Sequence, residues 1–87
     1  MKDLKKLSEE LEKYNKKDLS ITFSGSLRFS TLIHNSQCMV TQKILLIGNL
    51  EYSNEEIEIN VDDIDNIIID EYIVLEMNGN YKIYISK

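Results

Sequence analysis

The chain has no proline, no alanine and no tryptophan, and it carries one cysteine, one histidine and three scattered glycines in 87 residues. Each scarcity removes a class of chemistry. A lone Cys38 closes no intramolecular disulfide. Cys38 and His34 together supply two soft metal ligands, too few for a structural zinc site without carboxylates recruited from elsewhere. A Ser-His-Asp or Cys-His set would have to draw on this one histidine or this one cysteine, and nothing around them marks an activated nucleophile, so no catalytic residue is assigned and no enzyme is expected. Gly25, Gly48 and Gly79 stand far apart, so no phosphate-cradling loop exists and no cofactor is expected. The longest wholly aliphatic run, Ile44-Leu45-Leu46-Ile47, is far short of the roughly 20 residues of a membrane span, so no membrane association is expected. The start Met1-Lys2-Asp3-Leu4-Lys5-Lys6 lacks an apolar signal-peptide stretch, and with the unpaired cysteine it sets an expectation of the reducing cytoplasm.

A second absence is local. From Ile44 to Tyr81 there is no Lys or Arg, while ten Asp and Glu occur. Met1 to Lys43 holds eight basic and five acidic residues, and Ile44 to Lys87 holds two basic and ten acidic, so the halves carry +3 and −8 of the total −5. A pole of that size attracts basic partners and repels free nucleic acid over about one Debye length, ~8 Å at physiological salt. Direct nucleic-acid binding by the second half is therefore not expected. In the first half such binding would run through Lys2, Lys5, Lys6, Lys13, Lys16, Lys17 and Arg28.

Eighty-seven residues fit one domain, 1–87, with a helical segment 1–17 and a β-rich region 18–87 that contains the acidic block 44–81. A domain this small buries roughly 60–65% of its unfolded surface, so its stability is modest. From Asp3 to Asn15, Leu4, Leu7, Leu11 and Tyr14 form one apolar stripe at helical spacing, with Asp3 placed to cap the start. Lys13, Lys16 and Lys17 sit where the helix dipole favours cations.

After Asp18 the period changes to two: Leu19, Ile21 and Phe23, then Leu27, Phe29, Thr31 and Ile33, imply either two strands joined by a turn at Ser24-Gly25-Ser26 or one longer strand with a bulge at Gly25, and the turn is preferred. His34 to Gln37 reads as a loop, and Cys38 to Asn49 as one strand buried on both faces. Ile57, Ile59 and Val61 alternate with Glu56, Glu58, Asn60 and Asp62, giving a strand with one oily and one anionic face. Asp62 to Asn66 has turn chemistry around one buried anchor, Ile64, and Ile67 to Ile69 restarts a strand. This strand, acidic turn and strand resemble segments of small barrels, among them SH3-like and bacterial PH-like modules. The likeness covers under half the chain and includes no signature residue, so it implies no function.

Asn78-Gly79 is a hairpin signal. A three-residue loop through Asn80 pairs Leu75 with Ile83, Ile73 with Ile85 and Glu76 with Lys82, which sorts oil from charge better than a two-residue loop does. That register leaves Tyr72, Val74 and Tyr84 together on the other face, either covered by the helix or forming an apolar contact patch, with cover by the helix preferred. The expected architecture is α+β: one N-terminal amphipathic helix packed on a mostly antiparallel five- or six-stranded sheet or small barrel.

The acidic turn does not have the spacing of a calcium loop. A loop starting at Asp63 has Asp65 at its third position but Ile67 at its fifth and no glycine at its sixth, so the EF-hand pattern fails, and a weak cation site at Asp62, Asp63 and Asp65 is all that remains. No metal site is assigned.

The functional expectation is a non-enzymatic acidic module that docks on a basic surface of a partner protein through Glu56, Glu58, Asp62, Asp63, Asp65 and Asp70. Its sharpest form is an inhibitor or regulator that imitates nucleic acid, as anti-CRISPR proteins of phages and mobile elements do. The absence of Ala and Pro beside abundant Ile, Asn, Lys and Glu is the composition an AT-rich genome produces, consistent with such an origin. Spacing restrains the mimic: carboxylates on one strand face repeat at about 6.8 Å, whereas each DNA strand carries a charge per roughly 3.4 Å. The alternative is a self-associating protein that uses an apolar sheet face, with Tyr72, Val74 and Tyr84, or an edge strand to form a homo-oligomer.

Overall fold

The computed structural model describes residues 3–49, 51 and 56–87; Met1 and Lys2 of the helical segment, and residues 50 and 52–55 of the acidic block, lie outside the described residues. Helix α1 spans Leu4–Glu12. Asp3 starts it as expected, its carboxylate accepting from the Lys6 N–H at 3.0 Å. The helix stops short of the expected 17 because the following backbone has a better use. Lys16 takes a left-handed φ of 66°, and its N–H donates to the Ser36 carbonyl at 2.7 Å while the Ser36 N–H donates to the Lys17 carbonyl at 3.0 Å. The Ser36 hydroxyl, fully buried, donates to the Tyr14 carbonyl at 3.1 Å. These bonds fasten the end of the helical segment to the sheet that follows.

Eight strands follow: β1 Leu19–Ser24, β2 Arg28–Ile33, β3 Ser36–Val40, β4 Ile44–Asn49, β5 Glu56–Asn60, β6 Ile64–Ile69, β7 Ile73–Met77 and β8 Tyr81–Ser86. They form a five-stranded sheet in the order β2-β1-β8-β7-β6 and a three-stranded sheet in the order β3-β4-β5, every pairing antiparallel. Chain neighbours pair throughout except at two seams, β2 to β3 and β5 to β6, while β8 returns to pair with β1. The result is an α+β fold with a five-stranded antiparallel sheet and no closed barrel. Leu7, Leu11 and Tyr14 join Leu19, Ile21, Ile73, Leu75, Ile83 and Ile85 of the larger sheet and Leu45, Ile47 and Ile59 of the smaller one in a single buried cluster. One core thus lies between the two sheets, with α1 against β3 and β6.

The hairpin β7–β8 has the expected register, with Ile73 opposite Ile85, Leu75 opposite Ile83 and Glu76 opposite Lys82. Gly79 (φ 99°) and Asn80 (φ 64°) supply the left-handed turn residues. β1 and β2 are separate strands, as expected, and Phe23 lies opposite Phe29. Ile64 is buried, as the anchor reading required, but the turn is compressed into a 3₁₀ turn at Val61–Asp63, so β6 begins at Ile64 itself.

Three expectations fail. Cys38 to Asn49 is not one strand but the β3–β4 hairpin, closed by Thr41, whose hydroxyl accepts from the N–H groups of Lys43 at 3.1 Å and Ile44 at 3.0 Å. Nor is it buried on both faces: Leu45 and Ile47 enter the core, while Ile44 and Leu46 are half-buried on the other side. The 34–37 loop shrinks to His34 and Asn35, because Ser36 and Gln37 already belong to β3. Lastly, α1 does not cover Tyr72, Val74 and Tyr84. The helix directs its few apolar side chains into the core, and these three lie on the opposite face of the five-stranded sheet, where Tyr72 is 43% exposed.

Candidate protein-binding surfaces

On β5, inward Ile57 and Ile59 lie opposite Ile47 and Leu45 of β4. Alternation therefore turns Glu56 and Glu58 outward, opposite Gly48 and Leu46. Met39 of β3 is opposite Leu46 in turn. This outer face holds a shallow depression of about 220 Å³ lined by Gln37, Met39, Leu46, Gly48, Asn49 and Glu56. The two exposed carboxylates thus stand beside apolar side chains.

Asp62 and Asp63 are exposed on the 3₁₀ turn that carries the chain from the smaller sheet to the larger. Asp65, exposed on β6, lines a groove of about 630 Å³ with Glu76, Lys82 and Tyr84. Glu76 is neutralised there: it pairs with Lys82 at 3.7 Å and accepts from the Asn66 side-chain amide at 2.9 Å. Asp70 sits in the β6–β7 turn, about 17 Å from Asp65 by strand rise, and its N–H donates to the Tyr72 carbonyl at 3.1 Å.

The six carboxylates singled out from the sequence therefore follow the chain from β5 round the corner into β6 and do not share one plane. All six are exposed. Among the described residues, ion pairs occur at Lys13–Glu10 and Lys82–Glu76, and neither involves any of the six. No three His, Cys, Asp or Glu side chains among the described residues converge as metal ligands, those of Asp62, Asp63 and Asp65 included.

Cys38 lies opposite Ile47, half-buried, and its N–H donates to the Asn15 side-chain carbonyl at 2.9 Å. Burial raises its thiol from 9.0 to about 11, so it stays protonated and weakly nucleophilic at neutral pH. His34 is exposed at the β2–β3 corner, where its carbonyl accepts from the Asn49 side chain at 2.6 Å. The cations do not form one stripe: Lys5 and Lys6 share the start of α1 with Asp3 and Glu9, Lys13 is paired, and Arg28 lies on β2.

Tyr72 and Tyr84 come together, rings 6.0 Å apart, and with Thr22, Arg28 and Ser86 they line a groove of about 380 Å³ on the outer face of the five-stranded sheet. Sequence reasoning missed another surface. In β2 every residue but Ile33 is exposed. Beside it, Phe23 and Phe29 stack with centroids 4.8 Å apart over a depression of about 360 Å³ that Leu27 and Tyr81 also line. A signal was present: Leu19 to Leu50 contains no Asp or Glu.

No helix among the described residues is long and apolar enough to cross a membrane. Comparison with known proteins adds no relative: no family model, no curated protein and no solved structure matches the chain. What the fold and its surfaces define is a class, a small α+β domain of two antiparallel sheets around one core.

Proposed function

We propose that the chain is a non-enzymatic protein-binding module that docks on a basic surface of a partner protein through the carboxylates of β5, the 3₁₀ turn and β6. The observation that carries this reading is that Glu56, Glu58, Asp62, Asp63, Asp65 and Asp70 are all exposed and none pairs with a cation among the described residues. An acidic surface placed only for solubility needs no neighbouring oil, yet Glu56 and Glu58 border Leu46 and the 48% exposed Met39. Such a border suits the side chains of Lys and Arg, whose aliphatic stems cover apolar surface while their heads meet carboxylates. In its sharper form the module is an inhibitor that presents these charges in place of nucleic acid. Asp62 and Asp63 are the one consecutive pair among these six charges.

The protonated Cys38 thiol supports the non-enzymatic half of the proposal. The test is capture of basic proteins on the immobilised chain at low and high salt, beside the Glu56→Lys/Glu58→Lys variant. Retention of a basic protein that falls with salt and is lost in the variant supports the reading. Retention indifferent to both overturns it.

A further inference from the structure

We propose that β2 is a homodimerisation edge, at which two copies of the chain pair their β2 strands antiparallel about a two-fold axis normal to the sheet. The inference uses a surface remote from the acidic strands and does not depend on the function proposed above.

β2 ends the five-stranded sheet and, among the described residues, pairs only with β1. An unpaired strand edge is a template for another strand, and proteins usually blunt it with charge, proline or a bulge. None of these protects β2 beyond Arg28. Leu27 is 80% exposed, Phe29 59% and Leu32 50%, the three most exposed large apolar side chains among the described residues.

Topology and charge select the occupant. The five strands alternate in direction, so both edge strands run the same way. Continuing the sheet with a second copy, inner face kept on the inner side, allows three joints: β2 with β2 antiparallel, β6 with β6 antiparallel, or β2 with β6 parallel. The last does not close and propagates as a filament. The β6 joint brings the Asp65 and Asp70 carboxylates of one copy toward those of the other. Every residue of the β2 joint falls within Leu19 to Leu50, a stretch with no acidic residue, and the neighbouring acid, Asp18, accepts from the Asn35 N–H at 3.1 Å just past the end of the strand.

Side-chain parity leaves two registers close to the strand centre. In one, Ser30 meets its own copy, Phe29 meets Thr31 and Arg28 meets Leu32. In the other, Thr31 meets its own copy, Phe29 meets Ile33 and Ser30 meets Leu32. The two Arg28 residues are then four or six residues out of register, about 14 or 20 Å apart, beyond the ~8 Å Debye length. The one cation on the edge therefore does not oppose the joint. A single strand pair falls at the low end of specific interfaces, below about 1,200 Å² in total, so the dimer is weak and forms in the micromolar range.

Sedimentation equilibrium from about 5 to 500 µM tests this, with Thr31→Lys and Ile68→Lys as paired variants. Thr31 is exposed on the inner side of β2, on or beside the two-fold axis in both registers, and Ile68 is 43% exposed on the outer face of β6. We expect a reversible monomer–dimer equilibrium that Thr31→Lys weakens at least tenfold and Ile68→Lys leaves unchanged. A strict monomer across the range overturns the proposal. So does a dimer that Ile68→Lys breaks and Thr31→Lys does not, because that places the contact on the outer face or at β6.

Discussion

Replacing Tyr14 by phenylalanine should stabilise the fold, although it deletes a polar group from the core. Tyr14 is fully buried, and its hydroxyl has no hydrogen-bond partner among the described residues. An orphaned buried hydroxyl costs about 1–3 kcal/mol, and its removal while the ring is kept leaves almost no cavity. The ring keeps its other role, as the face over which the Lys87 ammonium sits 4.9 Å from the centroid. Phenylalanine is the weaker cation–π partner, a loss of a few tenths of a kcal/mol at an exposed cation. The net expectation is a gain of about 1 kcal/mol, which in a domain of this size raises Tm by about 4–8 °C. Urea unfolding should show a higher midpoint at an unchanged m-value, since the surface exposed on unfolding hardly changes. Tyr14→Ala, which removes the ring, should cost about 3–5 kcal/mol. If Tyr14→Phe lowers the midpoint, the hydroxyl has a stabilising partner and the argument for an orphaned group is wrong. A corollary concerns alkali. Desolvation, and secondarily the Glu10 charge, raise the phenol above its ordinary 10.0. Its ionisation then favours the unfolded chain, so the stability it contributes is present below pH 10 and declines above it, and this decline should be absent from Tyr14→Phe.

Further outcomes follow from other parts of the fold. A Cβ added at Gly25 would stand 2.9 Å from the Tyr81 Cβ, so Gly25→Ala should lower stability by about 1–3 kcal/mol in urea titration through overpacking. Thr41→Val removes the acceptor for two backbone donors of the β3–β4 turn and should cost about 0.5–1.5 kcal/mol, whereas Thr41→Ser should be near neutral. The buried Cys38 thiol, raised to about 11, contributes stability that is complete below pH 9 and lost as pH rises toward 11. Comparing unfolding midpoints at pH 8 and pH 10.5 should therefore show a smaller drop for Cys38→Ala than for the parent chain.

Local rules reached far along this chain where one residue type does one job. Asp3 caps α1 because a carboxylate three residues before Lys6 meets a free helix N–H. The β7–β8 register follows from requiring Ile73 and Leu75 to meet Ile85 and Ile83. The misreadings have equally local causes. Thr41-Gln42-Lys43 contains no Gly, Pro, Asn or Asp, and a hydroxyl closing a turn leaves no mark in hydrophobic periodicity, so two strands read as one. Lys16 is not a residue that announces a left-handed φ, and its conformation is set by bonds to Ser36, twenty residues later.

Surfaces were less legible than strands. Alternation correctly turned Glu56 and Glu58 outward. It could not say that Asp62 and Asp63 would occupy the corner between two sheets, nor that Asp65 would line a groove beside the Glu76–Lys82 pair that the hairpin register already implied. Exposure of the β2 edge depends on where the larger sheet ends, which no single strand's pattern contains.

The claim that the β5–β6 carboxylates form the docking surface is tested most directly by amide chemical-shift mapping with an arginine-rich peptide as probe at low salt. The shifts should concentrate at Glu56, Glu58 and Asp62 to Asp65, fade as salt is added, and leave the lysine-flanked Glu9, Glu10 and Glu12 of α1 little changed. Shifts centred on α1, or spread evenly over every exposed acid, would contradict the account.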